Sequence, residues 1–71
     1  LDVERIIDSQ DLLDEVPVIR RIKPVIRKLV GRPGYFRFDS RFVLDVWEDG
    51  PEGRTVVTRT GNTLHEMVAL A

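Results

Sequence analysis

The chain of 71 residues contains no cysteine. That excludes a disulfide framework and any thiolate metal site, and it fits a cytoplasmic protein. Histidine occurs once, as His65, so no pair of imidazoles exists at ligand spacing. No glycine-rich phosphate loop is present, and no serine stands in a recognisable nucleophile setting. Neither a metal nor a cofactor is expected. Long apolar runs are also missing, and none approaches the length needed to cross a bilayer. The opening residues, LDVERIID, carry acids where a secretory leader would carry bases. No membrane partner is expected from these features.

What is present is ordinary for a folded domain: 42% hydrophobic and 32% charged residues, with a formal net charge of −1. The length suits a single small α+β domain spanning residues 1–71. The chain begins on Leu1 and stops on MVALA within a helical pattern, so it reads as a fragment or processed product of something longer. Charge is segregated along it. Residues 1–15 carry −5, residues 16–38 carry +7 without a single acid, residues 39–53 carry −4, and the remainder +1. Such blocks bear on partners more than the overall balance does.

Residues 2–15 read as helix, in one or two pieces, from Val3, Ile6, Ile7, Leu12, Leu13 and Val16. Residues 18–30 show the clearest periodicity: Val18, Ile19, Ile22, Val25, Ile26, Leu29 and Val30 form one apolar stripe. Pro17 suits a first helical turn. Pro24 implies either a kink or a helix that starts there, and Gly31 reads as the left-handed C-terminal residue, with Pro33 blocking continuation. Three strands follow, at Tyr35–Phe38, Arg41–Trp47 and Arg54–Arg59. A tight turn at Asp39-Ser40 and a turn-rich EDGPEG segment separate them. Thr63 and Glu66 have capping-box spacing, so a last helix begins near Leu64. The expected fold is α+β: two N-terminal helices packed on a three-stranded antiparallel meander, with a short C-terminal helix. Its core draws on Ile22, Ile26, Leu29, Phe36, Phe38, Phe42, Leu44, Val46 and Val57.

A single-layer sheet leaves one face open, and that face is expected to carry Tyr35, Arg37, Arg41, Val43, Trp47 and Arg59. Rings beside guanidinium groups suit bases and phosphates, yet aromatic residues and Arg are equally favoured where two proteins meet. A second basic surface is expected on the helix, from Arg20, Arg21, Lys23, Arg27 and Lys28. It serves either as a phosphate-binding face, whose affinity falls with salt, or as the internal counterpart of the acidic first segment. Asp45 and Arg41 read as a surface ion pair. His65, in a first helical turn, has the ordinary reading of a solvated residue and the sharper one of a general base.

The run from residue 34 to 62, GYFRFDSRFVLDVWEDGPEGRTVVTRTGN, resembles the sheet of the RelE/ParE superfamily of small bacterial toxins. Tyr35–Phe38 looks like its aromatic-basic strand, Arg41–Leu44 like its Arg-bearing strand, and Arg54–Gly61 like its third. The resemblance implies a ribosome-dependent endoribonuclease or a gyrase-directed toxin, neutralised by an antitoxin, with Arg41 contacting phosphate. Read as helix from residue 2, the chain lacks the strand with which that family opens. It also has Asn62 and Thr63 where a basic residue is expected after Gly61. Three readings stand at this point: a toxin-like module facing RNA or the ribosome, a non-catalytic protein-binding or oligomerisation module, and a winged-helix DNA binder using residues 18–30. The partner is accordingly another protein chain, in a homo-oligomer or an antitoxin-like complex, or a nucleic acid.

Overall fold

The computed structural model describes residues 2–7, 15–30 and 34–70. Its elements are β1 (Val3–Ile6), α1 (Pro17–Leu29), β2 (Tyr35–Asp39), β3 (Val43–Gly50), β4 (Gly53–Thr60) and α2 (Leu64–Ala69). The four strands form one antiparallel sheet in the order β1-β2-β3-β4.

This corrects the expected architecture in two respects. The sheet has four strands, not three, and among the described residues one helix rather than two precedes the meander. Val3–Ile6, read as helix, is a strand paired with β2 in the register Val3↔Phe38 to Ile6↔Tyr35. The physical reason is the ambiguity of a four-residue segment. Val3 and Ile7 are buried while Ile6 is exposed, and a spacing of four fits a helix face and a strand face equally well. The partner that decides the matter lies about thirty residues away in the chain. The rest of that reading, residues 8–14, lies outside the described residues.

α1 starts with Pro17 at its first turn and runs through Pro24 without a break. Its C-cap is Val30, whose N–H donates to the Ile26 carbonyl at 3.2 Å. The expected stops, Gly31 and Pro33, lie outside the described residues. Ile19, Ile22, Val25 and Ile26 are fully buried, and each such side chain contributes about 1.5–3 kcal/mol by leaving water. They meet the sheet's inner face, where the register groups Val3, Phe36, Phe38, Leu44 and Val46. Met67 of α2 completes this core as α2 packs on α1. Leu29 and Phe42 are only half-buried against it, and Val57, expected inside, is 36% exposed.

The hairpins explain the strand limits. Asp39 and Val43 close the first, with the Phe42 N–H donating to the Asp39 carbonyl at 3.0 Å. Phe42 itself lies at φ 58, a left-handed conformation costing roughly 1–2 kcal/mol for a residue with a Cβ. Its ring packs edge-on against Phe38 at 5.8 Å, which offsets part of that cost. The strand therefore begins after Phe42, two residues later than the alternation suggested. In the second hairpin only Pro51 and Glu52 lie outside the strands, and Gly53 takes φ 118. α2 starts where its sequence predicts: Thr63 Oγ1 accepts from the Glu66 N–H at 3.2 Å, while the Glu66 carboxylate reaches one residue past the cap and accepts from the Asn62 N–H at 2.7 Å. At Gly34 an added Cβ would be driven into the Trp47 carbonyl oxygen, so β2 can enter the sheet there only through glycine.

Candidate binding surface

The face of the sheet turned away from α1 is built in rows, because Cα partners on adjacent strands point the same way. One row crosses all four strands: Ile6, Tyr35, Trp47, Val56. The Tyr35 and Trp47 rings lie 5.1 Å apart, tilted at 52°. Ile6 and Val56 at the two ends are 54% and 52% exposed. The neighbouring row is polar: Glu4, Arg37, Asp45, Thr58. Asp45 is 9% exposed and satisfied on both oxygens, accepting from Arg37 Nη2 at 3.0 Å and from Thr58 Oγ1 at 2.7 Å. Tyr35 leans on this row too. Hydrogen bonding to the Glu4 carboxylate holds its phenol above the ordinary value, and desolvation adds to the effect.

The five residues expected to form one basic-aromatic site are dispersed. Tyr35, Arg37 and Trp47 share the open face. Arg41 stands in the β2–β3 turn, where Nη2 donates to Asp39 Oδ2 at 2.9 Å. Arg59 pairs in register with Leu44, a core residue, and so belongs to the helix-side face. The expected Asp45–Arg41 pair is replaced by Arg37–Asp45 and Arg41–Asp39. A shallow concavity of about 380 Å³ lies at this end of the face, lined by Asp2, Glu4, Arg37, Asp39 and Arg41. Three carboxylates there outnumber two guanidinium groups that are already paired, so a phosphate entering it meets net repulsion.

The basic helix residues also divide. Arg20 and Arg21 are exposed on α1, whereas Lys23 and Lys28 have partners of their own. Arg27 is half-buried, and its Nε has no hydrogen-bond partner among the described residues. Arg5, in β1, bridges to Glu15 at 3.2 Å. His65 is exposed. Among the described residues no group of three or more acidic or histidine side chains is placed to hold a metal, and no helix is long and apolar enough to cross a membrane.

Sequence reasoning missed Ile6 and Val56. Val56 lay within a recognised strand, and its alternation with Val57 marked one valine for each face. Ile6 was hidden by the helix reading of its segment. No family model matches the chain, and no curated protein or solved structure does either.

Proposed function

We propose that this domain is a protein-binding module whose contact surface is the open face of its sheet. The observation that carries the reading is the row Ile6, Tyr35, Trp47, Val56, apolar from edge to edge and half-exposed at both ends. Soluble domains seldom leave such a band uncovered without a partner, and Trp and Tyr are the residues that anchor protein contacts most often. The flanking Arg37–Asp45–Thr58 network supplies a polar rim with both signs of charge. The test is affinity capture with the wild-type domain and with an Ile6→Asp/Val56→Asp double variant. Each captured protein is then purified and titrated directly by NMR. Binding should perturb the amides of the row and weaken at least tenfold in the double variant. Equal binding by that variant would remove the open face from the interaction.

A second reading is a toxin-like module directed at RNA or the ribosome. Two observations favour it: β1 supplies the opening strand that the RelE/ParE resemblance requires, and Arg20 and Arg21 stand exposed on α1. It predicts that a labelled short RNA binds more weakly as salt rises and that Arg20→Glu/Arg21→Glu abolishes binding. This moves the phosphate contact from Arg41, where the resemblance puts it, to α1: the Arg41 guanidinium is held by Asp39 at 2.9 Å, so Arg41→Ala has the smaller effect.

A further inference from the structure

β4 is the longest exposed element of the fold. Every residue from Gly53 to Thr60 is exposed, on both faces of the sheet. Its inner side pairs with β3. Among the described residues its outer side is the free edge of the sheet, since the strand order ends there. The other edge, β1, has only four residues. Long free edges are normally blunted by proline, bulges or lysine. Gly53–Thr60 contains no proline and no lysine; of its two arginines, Arg54 is neutralised by Asp49 of the neighbouring strand at 2.7 Å, and Arg59 is the one charge left on its helix-side face.

The hydrogen-bond phase of this edge follows from one contact. The Gly61 N–H donates to the Phe42 carbonyl at 3.0 Å, so the 42–61 pair is a hydrogen-bonded one. Alternation then turns the backbone groups of Thr55, Val57 and Arg59 toward β3. Those of Arg54, Val56, Thr58 and Thr60 point outward. We infer that these outward groups are used by a second copy of this chain, with β4 pairing antiparallel to β4 across a two-fold axis at Val57, to give a continuous eight-stranded sheet.

The register is set by the sequence. A two-fold axis at Val57 places Arg54 opposite Thr60 of the second copy, and Val56 opposite Thr58 of the second copy. By symmetry the reverse pairs form as well. Four pairs result, and they engage the N–H and C=O of all four outward-facing residues. An axis at Val56 or Thr58 would leave some of these groups unpaired. On the helix-side face Val57 meets Val57 of the second copy at the closer, non-hydrogen-bonded spacing. That contact would cover the valine the monomer leaves 36% exposed. No like charges fall opposite each other, because Arg54 and Arg59 lie on different faces. The next row reads Glu48, Thr55, Arg59 of the second copy, so opposite charges lie along one line, separated by a threonine. Association of this kind buries the edge and brings Thr58 of the second copy beside Val56, while Ile6, Tyr35 and Trp47 of the row stay clear of the seam. Ile6→Asp therefore tests the function proposed above without touching this interface.

The test is sedimentation equilibrium of the 71-residue chain from micromolar to millimolar concentration, on the wild type and on Val57→Lys and Val57→Asp. The wild type should rise to twice the monomer mass. Each variant should stay monomeric, because like charges then face each other on the axis. An equimolar mixture of the two variants should recover the doubled mass. Circular dichroism verifies that each variant is folded, and the recovery in the mixture shows this independently. A wild type that remains monomeric at millimolar concentration overturns the inference. So does a dimer that survives in both Val57 variants, or one abolished by Ile6→Asp while Val57→Lys leaves it intact, which would assign self-association to the open face.

Discussion

Asp39 holds the β2–β3 turn through both of its oxygens. Oδ1 accepts from the Arg41 N–H at 2.8 Å and Oδ2 from the Arg41 guanidinium at 2.9 Å. The guanidinium hydrogen bond is the largest reason its carboxyl sits below the ordinary value of 3.8; backbone N–H donors act in the same direction. A carboxylate whose pKa is depressed on folding stabilises the native state at pH values above its unfolded pKa. That contribution disappears as pH falls through the lower, folded value. Asp39→Asn keeps an oxygen for the backbone bond and removes the charge. The variant should therefore unfold at lower urea than the wild type at pH 7, and the gap should close in acid below 3.8. A gap of constant size across that range would show that the charge plays no part. Asp39-Ser40 was legible as a tight turn, because Asp bonds locally to the backbone ahead of it. Phe42 at positive φ was not. No local signal announces a bulky residue there, and the conformation is imposed by closure of the hairpin.

At the scale of elements, α1 shows a pattern overriding a propensity. Its apolar stripe was readable over residues 18–30, and the helix occupies Pro17–Leu29 despite Pro24. Pro24 has no N–H to give the Arg20 carbonyl, yet burial of Ile19, Ile22, Val25 and Ile26 holds both halves of the helix on one sheet. Pro24 is exposed, so replacing it disturbs no core contact. Pro24→Ala should stabilise the domain by about 1–3 kcal/mol, judged from the helix-interior penalty of proline. Urea denaturation measures this directly. An unchanged or lower midpoint would mean that the packing of α1 depends on a bend at Pro24. The strands divide differently. β2, β3 and β4 were legible from alternation and turn residues, while β1 was read as helix. Four residues hold too little periodicity to separate the two.

For the whole molecule the governing quantity is size. A domain of 71 residues is stable by roughly 4–10 kcal/mol at ordinary per-residue values. Phe36 is fully buried, flanked in register by Arg5 of β1 and Val46 of β3. Phe36→Ala removes about 3–5 kcal/mol, most or all of that margin. The variant should lose its cooperative thermal transition or melt near room temperature, whereas the exposed-row changes at Ile6 and Val56 should leave the melting temperature within a few degrees. A Phe36→Ala protein that melts like the wild type would place the core elsewhere. Among the described residues the +7 segment is not one surface: Arg37 is drawn to Asp45 across the sheet, Lys23 and Lys28 have partners, and Arg20 and Arg21 stay exposed.

By itself the sequence determined whatever depends on neighbours within one turn or one hairpin. The stripe of α1, the two hairpins, the Thr63–Glu66 cap and six of the buried core residues (Ile22, Ile26, Phe36, Phe38, Leu44, Val46) were all legible, because their signals repeat at 3.6 or 2 residues or sit in a single turn. Tertiary structure alone decided that Val3–Ile6 is a strand, since its hydrogen bonds are closed by residues 35–38. It alone placed Arg59 on the face opposite Arg37, and it alone exposed Val57. Alternation says that two residues lie on different faces, but not which face the helix covers or how far its cover extends. The row from Ile6 to Val56 exists only once four registers are fixed together, and register is a property of pairs of strands rather than of any one segment.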